Sequence, residues 1–392
     1  MSNPVLRIEG RLGPVSSTDI EIRPLTVFIG PQGTGKSLVS QMAYFFENLR
    51  FLVRYYEARL GPEVSDEKII RKILDDLRSQ ERALGVFANP SVTLCWRSGG
   101  ATELCFSMER RNRQIRPRQS LVDAVNASRM RGNAPVAPVL GSALFVPAER
   151  VLYSHASGPA AWQVLSLPST LTLFAEAMDR VGKRFDDIHR SSAVIKKLWL
   201  EVLGGEVHRH GERWKWQADG HTQMDIGMAS SGQKANWPLL ALAEALPVWK
   251  NDREIATPFT LHVEEPEIHL HPQAQTRLVE LLASLVKQGF RLVLTTHSLT
   301  VIYKLNNLIL ASGLEGETDD SLPAPEARLL PSQVAAYLFH PDGTIENLVD
   351  DETGFISEAP LGEIGDQLME EMNAIMARRV MHDEIREPLM EV

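Results

Sequence analysis

Apolar and polar positions along this chain follow two periods. Leu25–Ile29 (LTVFI), a β-branched run, and Ala143–Val146, Phe259–Glu264 and Arg291–Thr295 are short apolar runs, which predicts buried strands. Val5–Glu9 and Asp19–Ile22 predict two short strands joined by a turn containing Gly-Pro. Ser91–Arg97 and Thr102–Met108 predict a hairpin around Ser98-Gly99-Gly100-Ala101. Gly205–Gln217, carrying Trp214 and Trp216, predicts a second hairpin, and Ala335–Leu348 a strand–turn–strand about Asp342-Gly343. Helical spacing predicts helices over Lys36–Arg59, Asp66–Ala83, most of Trp162–Leu203, a stretch from Ser231, Pro272–Gln288 and Leu361–Val380. Glu109–Arg131 reads as a basic loop and Gly313–Pro325 as an acidic one. Phe259–Glu264, the following helix and Arg291–Thr295 make a βαβ unit, so the expected class is α/β, with helices flanking a central sheet. No internal repeat is present.

Composition narrows the function. The chain has 392 residues, 44% hydrophobic and 23% charged, with net charge -9. That is ordinary globular material and does not suit a dedicated nucleic-acid coat, although a local basic patch can still bind nucleic acid. The two cysteines, Cys95 and Cys105, exclude a disulfide framework and a cysteine zinc site. They flank the predicted hairpin turn and could face each other; the expectation is two reduced thiols. The N-terminus lacks a basic region followed by an apolar one, and no stretch approaches ~18 uninterrupted apolar residues, so a soluble cytoplasmic protein without membrane contact is expected.

Gly30-Pro31-Gln32-Gly33-Thr34-Gly35-Lys36-Ser37 fits G-x-x-x-x-G-K-[ST] at every fixed position. Such a loop wraps a phosphate with backbone N–H groups and the following helix N-terminus. Lys36 would reach the β- and γ-phosphates, and the Ser37 hydroxyl would ligate Mg²⁺. Its place between a buried strand and a helix is what the chemistry of ATP binding requires.

Phe259–Glu265 is an apolar strand ending in two carboxylates, the pattern of a Walker B element. Glu264 would then hold Mg²⁺, and Glu265 would position or deprotonate the attacking water. Arg291–Ser298 (RLVLTTHS) brings His297 to the end of a neighbouring strand, where it could contact the γ-phosphate. Ser230-Ser231-Gly232-Gln233 opens a helix and suits a phosphate, although alone it reads as an ordinary N-cap.

The order P-loop, SSGQ, EE strand, THS resembles the ABC-type ATPases, in the soluble SMC, RecF and OLD-like branch. Ala229–Gln233 is similar to the ABC signature, with Ser230 at its serine. Glu265 matches the catalytic glutamate and His297 the switch histidine. Glu264–Pro272 (EEPEIHLHP) resembles the corresponding segment of OLD-type and AAA-labelled bacterial ATPases, as does Phe145–Arg150 (FVPAER). Glu264 stands where an aspartate is usual, and Ser231 where the signature has its first glycine. No Q-loop glutamine or adenine-stacking aromatic stands out, though Glu149 is a candidate for the former position. His269 and His271 could be read as zinc ligands, but the resemblance places them in the loop after Walker B, at a dimer interface.

The resemblance implies an ABC-type head with a mixed central sheet, an antiparallel β subdomain and a helical signature lobe. The expected segments are residues 1–60 (strands, P-loop, first helix), 61–157 (helix, hairpin, basic loop), 158–250 (helical lobe with signature), 251–312 (Walker B and switch histidine) and 313–392 (strand–turn–strand and helix). It further implies a homodimer or higher homo-oligomer that closes head-to-tail on two ATP molecules and Mg²⁺. Long coiled-coil arms and a Toprim-type nuclease constellation are missing. A separate effector (a nuclease or toxin) is therefore expected, in the manner of the ATPase subunits of PARIS- and Septu-type anti-phage systems. The alternative is a RecF-like repair ATPase gripping DNA through Arg110, Arg111, Arg113, Arg116 and Arg118, with Arg129 and Arg131.

Overall fold

The computed structural model describes residues 2–61, 63–80, 88–99, 103–109, 114–130, 140–155, 169–189, 193–211, 213–218, 223–314, 317, 319, 321–358 and 369–376. Its centre is a six-stranded sheet ordered β14-β13-β3-β12-β11-β7. The strands are β3 (Leu25–Ile29), β7 (Ala143–Val146), β11 (Thr260–Glu264), β12 (Arg291–Thr296), β13 (Val334–Phe339) and β14 (Ile345–Asn347). All pairs are parallel except β13–β14 at the edge.

Strand side chains alternate between two cores, as a period of two demands. Leu25, Val27 and Ile29 of β3, Leu292 and Leu294 of β12 and Val334, Ala336 and Leu338 of β13 face one core. Phe28, Val293, Ala335, Tyr337 and Phe339 face the other. The first core is closed by α4 (Ser169–His189), α5 (Ala193–Leu203), α6 (Ser231–Asn251), α7 (Pro272–Lys287) and α8 (Leu299–Leu310).

The second core is closed by α1 (Lys36–Leu60), α2 (Asp66–Gln80) and an antiparallel sheet of order β2-β1-β4-β5-β6. That sheet comprises β1 (Val5–Leu12), β2 (Thr18–Glu21), β4 (Ala88–Arg97), β5 (Leu104–Glu109) and β6 (Gln114–Pro117). Phe46 of α1 stacks on Trp96 and Phe106 of this sheet, with ring centroids 6.2 and 5.4 Å apart. A smaller sheet, β8 (Gly205–His210), β9 (Arg213–Ala218) and β10 (Met224–Asp225), caps the helical side.

The fold is thus α/β with a mixed central sheet, as expected, and the predicted strands lie within a residue or a few of the observed ones. The predicted basic loop is different. It contains β6 and a helix, α3 (Gln119–Met130), whose Leu121 and Val125 are buried one turn apart. The arginines flanking this stretch mask its apolar spacing in the sequence. Arg129 does not join a basic surface, because it pairs with Glu57 at 3.1 Å and also with Asp66. The two cysteines also depart from expectation: Cys95 and Cys105 sit directly opposite each other on β4 and β5 and form a disulfide. The ends of three predicted helical stretches (81–83, 162–168, and 361–368 with 377–380) lie outside the described residues, as do Arg110, Arg111, Arg113 and Arg131. Among the described residues no helix is long and apolar enough to cross a membrane.

Candidate active site

The site forms at the carboxyl ends of β3, β11 and β12, where the parallel strands deliver their following loops together. β3 ends at Ile29 and the chain turns at Gly30 with φ 142°. A Cβ there would lie 2.4 Å from the Phe339 carbonyl oxygen, so only glycine lets the loop pass the end of β13. Gly33 and Gly35 are also left-handed, and Gly35 is the N-cap of α1. Pro31, Gln32 and Gly33 are exposed at the loop's crest, while Thr34 is buried and its hydroxyl donates to the Pro31 carbonyl at 2.9 Å.

Lys36 is buried, and its Nζ donates to the carbonyls of Gly30 (2.8 Å) and Pro31 (2.7 Å). Burial pushes its ammonium down to about 8, against the opposing pull of Glu265 and Glu267. The side chain is therefore held inside the loop, within electrostatic reach of those carboxylates, with its charge short of solvation. A polyphosphate would supply that charge with a partner.

Glu264 closes β11 and is buried. Desolvation pushes its carboxyl above the usual range, while the Ser37 hydroxyl and the Ala148 N–H (3.1 Å from Oε2) favour the carboxylate. Ser37 and Glu264, from two different elements, thus meet as a pair of hard oxygen donors. That is the donor chemistry Mg²⁺ takes alongside phosphate oxygens and water.

Glu265 ends the strand register by adopting φ 43°. For a residue with a Cβ this costs on the order of 1–3 kcal/mol, and it swings the side chain away from the strand line. The N–H of Glu265 donates to the Thr295 carbonyl at 2.9 Å, and its half-buried carboxylate lies 3.8 Å from His297 Nε2. His297 is held by its backbone: its N–H donates to Glu267 Oε1 at 3.0 Å, and the same oxygen accepts from the Thr296 hydroxyl at 2.6 Å. The other oxygen of Glu267 is buried and, among the described residues, has no hydrogen-bond partner.

Ser230–Gln233 lies elsewhere. Ser230 caps α6 in a reciprocal box: Ser230 Oγ accepts from the Gln233 N–H at 3.3 Å, and Gln233 Oε1 from the Ser230 N–H at 2.9 Å. Gln233 Nε2 donates to the Leu203 carbonyl at 2.8 Å. Ser230 and Ser231 are exposed, and among the described residues no hydrogen bond ties this turn to Gly30–Ser37. The P-loop, the Glu264–Glu265 pair and His297 thus gather in one place, and the Ser230–Gln233 turn presents itself outward.

Three polar side chains escaped the sequence reading. Arg150, Asn236 and Glu47 are buried or nearly so, and their partners are distant in sequence. Arg150, in the FVPAER segment, donates to the carbonyls of Glu264 and Glu265. Glu47 accepts from His262 Nε2 (3.0 Å) and Thr260 (3.1 Å), while His262 Nδ1 meets Ser40 Oγ at 3.1 Å, fastening α1 to β11. The zinc reading of His269 and His271 gains no support. The only cluster of metal-binding types among the described residues is Cys95, Glu103 and Cys105, and His271 caps α7 through the Gln273 N–H. Glu149 is exposed and lies close enough to Glu264 to raise its carboxyl.

Residues 179–302 match the family described as the AAA ATPase domain, a stretch holding α6, Glu264, Glu265 and His297. The chain is an ATPase. No curated protein sequence matches it. Among solved structures it is similar to the SMC head domain from Thermotoga maritima, with 13% identity over 88% of this chain and 98% of that one and a TM-score of 0.41. It is similar to the Smc head domain with an extended coiled coil, bound to the C-terminal domain of ScpA and derived from Pyrococcus furiosus (12% identity, 93% and 100% coverage, TM-score 0.39). It is also similar to the recombination mediator protein RecF (11% identity, 88% and 99% coverage, TM-score 0.41).

Proposed function

We propose that this ATPase works as an ATP-dependent dimer in which each nucleotide is held between the P-loop of one chain and the signature turn of the other. The observation that carries this reading is the separation of the two elements. Gly30–Ser37, Glu264, Glu265 and His297 make one cluster. Ser230–Gln233 forms a capped helix start with Ser230 and Ser231 exposed and, among the described residues, no hydrogen bond to that cluster. In a closed two-fold pair, Ser230 and Gly232 of each chain meet the γ-phosphate held by its partner.

In this reading the P-loop amides and Lys36 bind the phosphates, and Ser37 and Glu264 hold Mg²⁺, which neutralises charge on the phosphoryl oxygens. Glu265 orients the attacking water, and His297, 3.8 Å away, senses the γ-phosphate. Hydrolysis removes the contacts that hold the dimer closed, so ATP acts as a clamp with a timer.

We further propose that the clamp serves as sensor and scaffold for a separately encoded effector in bacterial anti-phage defence. Support comes from the acidic net charge of -9 and the lack of a long coiled-coil arm in the sequence, beside the resemblance of EEPEIHLHP and FVPAER to OLD-type and AAA-labelled bacterial ATPases. The RecF-like alternative, DNA binding through Arg110–Arg118, keeps the exposed Arg116 and Arg118 but loses Arg129 to its carboxylate partners. A DNA affinity that falls steeply with salt, and loses that slope when Arg116 and Arg118 are neutralised, would favour it.

The test of the dimer reading is the ATPase rate per chain against protein concentration, with and without Ser230→Arg. The rate should rise with concentration until the dimer saturates, and Ser230→Arg should bind ATP without hydrolysing it. A rate independent of concentration and indifferent to Ser230→Arg overturns the reading.

A further inference from the structure

Arg150 is fully buried, an unusual place for a guanidinium. Its hydrogen bonds reach three segments. Nε donates to the Ala235 carbonyl (2.7 Å) and Nη2 to Asn236 Oδ1 (3.3 Å), both on the signature helix α6. Nη1 donates to the Glu264 carbonyl (2.7 Å) and to Pro147 (3.2 Å), and Nη2 to the Glu265 carbonyl (2.8 Å). Asn236 completes the tie from the other side: its Nδ2 donates to the Gly232 carbonyl (3.0 Å) and to Ile268 (2.8 Å) in the loop after Walker B. Gly232 packs so closely on that loop that a Cβ would lie 2.6 Å from the His269 carbonyl oxygen.

These contacts have a common object. Both carbonyls that flank the left-handed turn at Glu265 are held by one guanidinium, and that guanidinium is anchored to α6. A planar fork with five donors can satisfy this set, whereas a point charge cannot. We infer that Arg150 is a positioning residue: it fixes the backbone that aims the Glu265 carboxylate to the helix whose N-terminus is the signature turn. The strained Glu265 backbone thus takes its orientation from α6. In the proposed dimer, on which this clause rests, that is the helix facing the partner's nucleotide.

The test is a double-mutant cycle on the full chain with Arg150→Lys and Glu265→Gln. Arg150→Lys should leave ATP affinity, read with a fluorescent nucleotide, within about twofold, since no P-loop contact is touched. Its kcat should fall at least about tenfold, the scale of misplacing a reacting group. If Arg150 acts through Glu265, adding Arg150→Lys to Glu265→Gln should leave the residual single-turnover rate unchanged within about twofold. Losses that multiply, or a kcat preserved in Arg150→Lys, overturn the inference. Where Arg150→Lys fails to fold, Asn236→Ala carries the same cycle: it removes one of the guanidinium's two acceptors on α6 together with the links to Gly232 and Ile268, while Arg150 keeps its bonds to the Glu264 and Glu265 carbonyls, so it reads whether anchoring to α6 sets the aim of Glu265. The cycle needs only wild-type turnover, so its failure is distinct from a failure of ATP-dependent dimerisation.

Discussion

Glu267 Oε1 accepts the backbone N–H of His297 at 3.0 Å, so a loop that follows one strand of the sheet sets the height of the histidine at the end of the next. Glu267→Ala removes this acceptor and that of Thr296. At about 1.5–3 kcal/mol for a hydrogen bond to a charged group, the expected loss in kcat is roughly 10- to 100-fold, with ATP affinity little changed. Glu267→Gln keeps an acceptor and should lose less. Steady-state ATPase assays paired with nucleotide titration check both.

ATP binding should take up protons near pH 8. The sign follows from Lys36: burial holds its folded value at about 8, and a bound polyphosphate favours the charged form. Below pH 8 the lysine is already charged and no uptake accompanies binding. Above it, ATP must recruit a proton, and affinity falls as pH rises. Calorimetry at pH 8 in buffers of different ionisation enthalpy should show roughly half a proton taken up per ATP. No uptake there contradicts the burial argument.

Removal of the Glu47 carboxylate should destabilise the fold. Glu47→Ala leaves His262, Thr260 and Arg291 without their shared acceptor between α1 and β11. Breaking a buried polar pair from one side costs about 3 kcal/mol, which urea denaturation resolves. A change under about 1 kcal/mol would mean the network contributes little.

The cysteine pair is open to a direct count. A bridge between Cys95 and Cys105 predicts no titratable thiols in the denatured, unreduced protein, and two after reduction. Closing so short a loop contributes roughly 2–3 kcal/mol, so reduction should lower the melting temperature.

The sequence was most legible where local pattern and chemistry coincide. Leu25–Ile29 is apolar at all positions but Thr26, is buried throughout and is bounded by Pro24 and Gly30, and the P-loop motif follows it at the site. Glu264, Glu265 and His297 were readable because parallel strands end on the same edge of a sheet. Two kinds of feature were not legible. Amphipathic spacing in Gln119–Met130 is masked by the arginines that flank it, and α8 after His297 carries apolar residues on most faces. Buried polar groups such as Arg150 and Asn236 bond to main-chain carbonyls far along the chain, and no spacing rule encodes such partners. The FVPAER segment stands out as a pattern in the sequence, yet its arginine gains a role only from the fold.

The central claim is that two chains share each nucleotide, and the mass of Glu265→Gln in solution tests it most directly. With ATP and Mg²⁺ this variant should bind nucleotide, fail to turn over, and run in light-scattering chromatography at twice the mass of the chain. Ser230→Arg added to it should return the monomer. A Glu265→Gln protein that binds ATP yet stays monomeric, while the wild type hydrolyses ATP, would contradict the account.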